Sequence, residues 1–369
     1  MTTGRRHLLH VYATFAVGGP QVRFLSLAKA MGQGFRHSIL AMDGDYACAG
    51  RLDPALDVTL LKDVPVAKGD TLGNRRRFRA VLKEMRPDLL LTCNWGSIEW
   101  ALANTPRVVP HLHFEDGFGP EEATGQIPRR VWMRRIALRG KTVLLPSHTL
   151  YRIARDVWRL PEARLRLVPN GVDVARFPGA PAPELMAKMG DPAMGPLLGT
   201  IAALRPEKNL PRLVEAFAKV NAERPCRLAI AGEGKMREAA EETARKLGVE
   251  ARVFFTGYVA DPASVVGAFD LFLLSSDTEQ MPVSVLEAMA SGLAVATTDV
   301  GDIAQMVAPE NRPYLVEKDA GALARAALTL LGDDALRARI GAANREKCER
   351  DYSLDAMVDA WRTLWEGNV

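Results

Sequence analysis

Short, wholly apolar runs alternate with amphipathic helical stretches along this chain, and the alternation runs twice. Strand candidates in the first half are 7–13, 37–42, 57–61, 88–93, 107–113, 142–145 and 164–168, with helical patterns such as 21–31 and 74–85 between them. Continuous apolar strands separated by helices specify a parallel sheet covered on both faces. A break follows, where Pro178, Pro181, Pro183, Pro192 and Pro196 punctuate a stretch rich in glycine and alanine, the signature of a linker. The alternation then restarts with strands at 197–204, 227–231, 253–256, 270–274, 293–297 and 313–316. The helix at 210–221 gathers Leu210, Leu213, Val214, Phe217 and Val220 on one face, with Asn209 as N-cap and Pro211 in its first turn. Three helical segments close the chain, the last around 354–365.

These 369 residues suffice for two domains, each with its own core. The expected architecture is α/β: a first doubly wound domain over 1–177, a linker over 178–196, a second over 197–350, and a last helix over 351–369. Such sheets bind ligands outside the carboxyl ends of their strands, so a cleft between two of them is the expected active site.

Composition narrows the function classes. Hydrophobic residues are 48% and charged residues 25%, ordinary soluble globular values. The net charge of +4 is too small to argue for nucleic acid, and suits an anionic substrate or an anionic membrane surface. Cys48, Cys93, Cys226 and Cys348 are scattered without a CxxC pair and read as reduced thiols, not a disulfide frame or zinc site. The amino-terminal stretch has two arginines and an apolar run but no small-residue cleavage site, and reads as a first strand, not a signal peptide. No apolar stretch approaches the ~18 residues of a spanning helix. The expected location is cytoplasmic, with any membrane contact peripheral.

The stretch from Ser275 to Gly292 carries the most chemistry. A strand ends at Leu274, a loop follows, and a helix opens near Pro282, whose missing N–H suits a first turn; Gly292 closes that helix. The amides of Val283 and Ser284 then point out of the helix start as an anion site. Glu287 lies on the same face, and Glu279 just before the helix. Carboxylates beside a phosphate site fit a ligand that also bears hydroxyls, or positive charge forming in reaction. Arg205 and Lys208 follow a strand directly, where fixed cations would stabilise a departing diphosphate. Gly18 and Gly19 lie between the first strand and its helix, where backbone approaches a ligand closely. His111 and His113 share one face of a strand end, and His113, nearer the carboxyl end, is the expected acceptor-side histidine.

Other readings compete. Asp43-Gly44-Asp45 has the form of an Asp-x-Asp metal motif and also of a glycine turn, which is favoured. His111 and His113 with Glu115 and Asp116 could open a metal hydrolase site, although further ligands are wanting. A sugar-nucleotide epimerase on the same fold would consume donor without acceptor, and a degraded scaffold would have lost Glu279, Glu287, Arg205 and Lys208. The arginines at 75–79 read as a solvated helix face. The stretch 129–139 holds Trp132 and Ile136 one turn apart among arginines, either a surface helix or a weak contact with anionic lipid.

Together these residues resemble the retaining glycosyltransferases of the two-Rossmann (GT-B) type, in particular family 4. The resemblance spans nearly the whole chain. It is carried most strongly by Glu279, Glu287 and the following Ala288-Met289-Ala290-Ser291-Gly292. Val168-Pro169-Asn170-Gly171-Val172-Asp173 is similar to the family's junction segment, and Gly232, Gly234 and Gly257 fall where it has glycines. The resemblance implies that Arg205 and Lys208 hold the donor diphosphate, that Glu287 binds the ribose and that Glu279 contacts the transferred sugar. It also implies that the amides after Pro282 meet phosphate and sugar, that Gly18 and Gly19 lie against the donor, and that His113 is near its reacting end. It implies a nucleotide-sugar donor, a lipid-linked or oligosaccharide acceptor, no metal, a last helix packed on the first domain, and transfer with retention of configuration. Many relatives have Glu-Gly-Phe-Gly where this chain has Glu279-Gln280-Met281-Pro282, so a proline replaces a glycine beside the sugar.

Overall fold

The apolar runs form two parallel sheets. The structure, a computed structural model, describes residues 4–118, 120–122 and 125–367; Gly119, at the end of the stretch opened by His111, lies outside them. In the first sheet the strands are β1 (Arg6–Tyr12), β2 (Phe35–Ala41), β3 (Asp57–Leu60), β4 (Leu89–Cys93), β5 (His111–Phe114), β6 (Thr142–Leu145) and β7 (Leu165–Leu167), in the order β3-β2-β1-β4-β5-β6-β7. Between them run α1 (Gly19–Met31), α2 (Thr71–Met85), α3 (Ile98–Ala103), α4 (Pro128–Leu138) and α5 (His148–Arg152).

The second sheet comprises β8 (Leu197–Ile201), β9 (Arg227–Ala231), β10 (Val253–Gly257), β11 (Leu271–Leu274), β12 (Val295–Thr298) and β13 (Leu315–Val316), ordered β10-β9-β8-β11-β12-β13. Its helices are α6 (Pro183–Met186), α7 (Leu210–Glu223), α8 (Arg237–Lys246), α9 (Ala263–Val266), α10 (Val283–Ala290), α11 (Ile303–Met306), α12 (Ala320–Gly332) and α13 (Asp334–Asp351). In both sheets the order reverses beside the first strand, between β1 and β4 and between β8 and β11. Ligands of doubly wound sheets bind at such a reversal.

Alternation along the strands explains why these runs are apolar throughout. Leu228, Ile230, Leu271 and Leu273 enter one core of the second sheet, while Ala229, Ala231, Phe272 and Leu274 enter the other. A parallel sheet with both faces covered favours apolar residues at every strand position, and the buried polar ones here, such as His10, His37 and Thr92, are hydrogen-bonded to one another or to neighbours. On α7, Leu210, Leu213, Val214, Phe217 and Val220 are all buried, and Asn209 Oδ1 accepts from the Arg212 amide at 3.2 Å.

The chain divides into two compact units, one of residues 1–170 with 356–369 and one of residues 171–355. The proline-rich stretch 178–196 is no free linker. It is packed within the second unit, with Phe177 and Met189 buried and the Ala182 amide donating to Ser264 O at 2.9 Å. Arg227 fastens it further by donating to the carbonyls of Met189 and Gly190 at 3.0 Å each. The last helix, α14 (Leu354–Trp365), puts Trp361 against Phe114 and Trp365 against His10, Phe35 and His37 of the first unit.

Other differences from the sequence reading have local causes. β5 starts at His111, not Arg107, because Asn104 Oδ1 accepts from the amides of Val108 and Val109 at 2.7 and 3.1 Å and holds that segment as a loop. Arg75 and Arg79 are not simply solvated: they donate to the carbonyls of Ala103, Thr105 and Pro106. Arg134, within the arginine-rich α4, is fully buried against Glu115 and Glu122 and stacked near Trp95, Phe118 and Trp158. Asp43 and Asp45 form a turn, with the Asp45 amide donating to Asp43 Oδ1 at 2.9 Å and Gly44 at φ 77°. No helix among the described residues is long and apolar enough to cross a membrane.

Candidate active site

In the second unit, the loops after β8 and β11 meet where the strand order reverses. Hydrogen bonds sew them together. Ser275 Oγ donates to the carbonyls of Lys208 and Asn209 at 2.9 and 3.0 Å, and the Asp277 amide donates to Glu207 O at 2.8 Å. Arg212 pairs with Asp277 at 2.7 Å and also donates to Ser275 O. Two loops fixed in this way hold their side chains in register without help from a ligand.

The result is a direct contact between two of the expected site residues. Lys208 Nζ donates to Glu279 Oε1, and Ser276 Oγ donates to the same oxygen at 2.7 Å. Both charged side chains are mostly shielded, at 17% and 11% exposure, so their attraction is stronger than that of a surface pair. Arg205, in the same loop as Lys208, is exposed and forms no ion pair among the described residues.

Pro282 is the N-cap of α10 rather than its first helical residue, and the helix proper opens at Val283. The amides of Val283 and Ser284, first in an α-helix, have no carbonyl one turn back to bond. Gly292 follows the Ser291 C-cap at φ 71°, the left-handed geometry that ends a helix on glycine. Glu287, four residues after Val283, shares its face. Burial pushes its carboxyl up to about 8, against the opposing pull of Arg176, which is itself paired with Asp261. Glu287 therefore holds its proton to a higher pH than an ordinary carboxyl, and in the protonated form it can donate as well as accept.

The glycines beneath this site are required by close approach. A Cβ on Gly232 would stand 1.8 Å from Ala202 O, and one on Gly234 2.5 Å from Leu204 O, so both let β9's exit loop lie against β8's. Gly301 was missed by the sequence reading. It sits at φ 61°, and a Cβ there would lie 2.5 Å from Glu279 O, while the next amide, of Asp302, donates to Gln280 O at 2.9 Å. Ser276 and Thr298, whose hydroxyl donates to Ser276 O at 2.6 Å, were also missed. Nothing local distinguishes such serines and threonines from any others.

In the first unit, the same edge of the sheet carries Gly18 and Gly19. Gly18 caps α1 with extended backbone at φ −164°, and a Cβ on it would come 2.8 Å from Gln21 Oε1; the space beside Gly19 is open. Gly96, in the loop after β4, lies so close to Ala13 that a Cβ would stand 2.2 Å from the alanine's own. Arg23 reaches from α1 to Asp116 in a bidentate pair at 2.5 and 2.7 Å, and to Asn170 Oδ1 at 2.9 Å.

His113, the expected acceptor-side histidine, does not reach the surface in this structure. Its side chain is fully buried, with Nδ1 2.8 Å from Thr92 Oγ1 and Nε2 3.4 Å from Glu115 Oε2. Glu115 is in turn held by Arg134. Burial alone would raise the Glu115 carboxyl, but Arg134 and His113 outweigh it and hold it below the usual carboxylate range. His111 shares Thr92 from its other side, at 2.7 Å. These groups form an internal polar chain through Thr92, in which His111 Nδ1 alone is left without a partner. Among the described residues no cluster of three or more His, Cys, Asp or Glu side chains is arranged to hold a metal, so the hydrolase reading is not favoured.

Comparison with known proteins bears on the family and the fold. Residues 17–176 match the family described as Glycosyltransferase Family 4, and residues 182–347 match Glycosyl transferases group 1. The chain is 27% identical to the N-acetyl-alpha-D-glucosaminyl L-malate synthase of Bacillus anthracis over 59% of its own length and 58% of the relative's, so it spans little more than half of that protein. It is 28% identical to the 2-deoxystreptamine N-acetyl-D-glucosaminyltransferase of Streptomyces fradiae over 85% of the chain and 82% of the relative. In fold it is similar to Anabaena HepE, solved in complex with UDP and glucose, with a TM-score of 0.81 at 17% identity over 98% of this chain and 99% of that one. Two doubly wound sheets, matched in succession along the chain, place it in family 4 of the GT-B glycosyltransferases.

Proposed function

We propose that this chain transfers a sugar from a nucleotide-diphosphate sugar to an acceptor hydroxyl, with retention of anomeric configuration, in the synthesis of envelope polysaccharide or glycolipid. The observation that carries the reading is the Lys208–Glu279 contact at the strand-order reversal, beside the bare amides that open α10. Arg205 and Lys208 hold the diphosphate, and the Val283 and Ser284 amides take oxygens of the phosphate and sugar. Glu287 binds the ribose hydroxyls, Glu279 contacts the transferred sugar, and Gly18 and Gly19 lie against the donor. A lipid-linked glycan or an oligosaccharide supplies the acceptor hydroxyl.

Charge explains why these groups belong together. As the anomeric C–O bond breaks, the diphosphate gains negative charge and the sugar gains positive charge. Cations and amides on one side and a carboxylate on the other stabilise both ends of that separation. The acceptor hydroxyl attacks from the face the diphosphate leaves, and a diphosphate oxygen takes its proton. The glycosidic bond forms as the donor bond breaks, and the nucleoside diphosphate departs with the proton. No protein carboxylate is required as a nucleophile, unlike in retaining hydrolases, and the protein's own cations supply the charge that a divalent metal would otherwise bring.

The names of the similar proteins support a sugar donor carried on a nucleotide, since HepE was solved with UDP and glucose. The test is a thermal-shift panel of nucleoside diphosphates and their sugars, because ligands that bind the folded state raise its apparent stability. A hit is followed by transfer assays with chelator and by assignment of the product anomer by NMR. Donor consumption without acceptor would favour an epimerase, and an inverted product would remove retention.

A further inference from the structure

The first unit has a second feature, at the edge of its sheet opposite to Gly18 and Gly19. A cavity of about 240 Å³ opens where β5, β6 and β7 begin. Arg107, His111, Arg139, Lys141 and Arg164 form its wall, and no carboxylate does. Among the described residues none of these arginines nor Lys141 is in an ion pair.

Two of these groups are buried. Lys141 is 8% exposed, with Nζ donating to Thr105 Oγ1 at 2.7 Å. Burial pushes its ammonium down to about 8 because no counter-charge is near. His111 is 5% exposed; its Nε2 meets Thr92 Oγ1 at 2.7 Å and its Nδ1 has no partner. A buried ring nitrogen without a partner and a buried ammonium without a counter-charge are each unfavourable, and one anion would relieve both. Arg107, Arg139 and Arg164 are exposed around them.

The carboxyl end of α3 also faces this loop, and helix carbonyls repel anions. Arg79 already covers the carbonyls of Ala103 and Pro106 at 2.8 Å each, and Arg75 covers Thr105 O at 2.8 Å. A helix end contributes only about half a charge, against four whole cations in the cavity wall. The sum favours an anion and disfavours a metal cation. The volume lies below the ~300–1,000 Å³ of pockets that enclose drug-sized ligands, so it suits a phosphate with little attached, not a nucleotide.

We propose that this cavity is a second ligand site that binds a phosphate group, with Lys141 and His111 as its buried donors and Arg107, Arg139 and Arg164 as its rim. The phosphate is carried either by a small soluble phosphorylated molecule or by an anionic lipid headgroup. The site is separate from the residues assigned to the donor: Gly18 and Gly19 lie at the opposite, carboxyl edge of the same sheet, and Arg205, Lys208, Glu279 and Glu287 lie in the other unit.

Calorimetric titration of the full chain with inorganic phosphate tests this, in an Arg205→Ala/Lys208→Ala background that removes the cations assigned to the donor. Saturable binding is expected there, weakened at least about tenfold when Arg107→Ala, Arg139→Ala and Arg164→Ala are added. The ¹⁵N resonances of the His111 imidazole should shift with phosphate before those three changes are made, a readout that needs no further variant. Absence of saturable binding, or binding unchanged by the three substitutions in a folded protein, overturns the proposal. Titration with glucose 6-phosphate, and sedimentation with phosphatidylcholine vesicles with and without phosphatidylglycerol, then separate the sources. Vesicle binding lost in the triple variant assigns the headgroup. Saturation by glucose 6-phosphate with vesicle binding unchanged assigns a soluble ligand.

Discussion

Lys208 Nζ and Glu279 Oε1 are hydrogen-bonded although 71 residues separate them in the chain. The doubly wound topology makes this possible, since β8 and β11 are neighbours and their exit loops share one edge. In the free protein the pair holds Lys208 in place, and under the proposed assignment an arriving diphosphate competes with Glu279 for it. Lys208→Ala, Arg205→Ala and Glu279→Ala should each lower kcat/KM by about 10²–10³-fold, as loss of one oxyanion-type donor does elsewhere. Glu279→Gln should split the parameters: kcat falls while affinity for a nucleoside diphosphate holds or rises, because Lys208 is released. Steady-state kinetics and calorimetry check this, and near-normal turnover in two of the alanine variants would count against the assignment.

With Glu287 as the proposed ribose ligand, donor binding should be pH-dependent. Its folded value of about 8 lies above the ordinary carboxylate range, so below that pH the free protein keeps a proton that the unfolded chain releases. The group therefore adds stability at low pH, and that stability declines as pH rises from about 4.5 to about 8. Ribose hydroxyls that hydrogen-bond to the ionised form draw the proton off. Nucleoside-diphosphate affinity should then rise with pH up to about 8 and level off, with proton release visible as a buffer-dependent binding enthalpy. Glu287→Gln should abolish both.

Gly301 should be intolerant of a side chain for a reason that concerns the site. Alanine at φ 61° is strained, and its Cβ would press on the backbone at Glu279 and Gln280. Gly301→Ala should cost about 1–2 kcal/mol in stability and lower kcat by about 10²-fold, the usual result of misplacing a reacting group by about 1 Å. Thermal unfolding and kinetics on the same preparation separate the two effects. Full activity in that variant would show that the loop carrying Glu279 does not depend on this packing.

Three buried histidines on β1 and β2 make the first unit acid-sensitive. His10 Nε2 lies 3.0 Å from His37 Nδ1, His7 Nε2 lies 2.8 Å from Ser38 Oγ, and Trp365 of α14 covers His10 and His37. Burial pushes His37 down to about 4, and lowers His10 still more clearly with the help of His37 and His7. The unfolded chain binds these protons first, so stability is lost as pH falls from about 6.5 to about 4, by up to ~3 kcal/mol from His37 alone. Denaturant unfolding followed by tryptophan fluorescence at about pH 7 and about pH 5 checks this. Equal stability at the two pH values would contradict it.

Much of the fold was legible in the sequence, because a strand buried on both faces is mostly apolar and the change of period marks each helix. The positions of Arg205, Lys208 and Glu279, the residues proposed for the site, were legible because they follow strand ends, and that of Glu287 because it lies one turn into the helix after Pro282. What escaped depends on tertiary neighbours. The 178–196 stretch reads as a hinge until Gly179 is seen against the backbone of Ala263. Arg134 reads as a surface cation until Glu115 and Glu122 surround it, and the sequence places His113 near a strand's carboxyl end without showing that Thr92 and Glu115 face its two nitrogens. Periodicity records which face of an element is apolar; it carries no record of which polar groups on different elements have found each other.

The most direct measurement is a crystal structure of the chain soaked with a nucleoside diphosphate selected by the thermal-shift panel. The account predicts diphosphate oxygens about 2.7–3.2 Å from the Val283 and Ser284 amides and from Lys208 Nζ, with the ribose hydroxyls on Glu287. A diphosphate bound elsewhere, with those amides facing water, would contradict it.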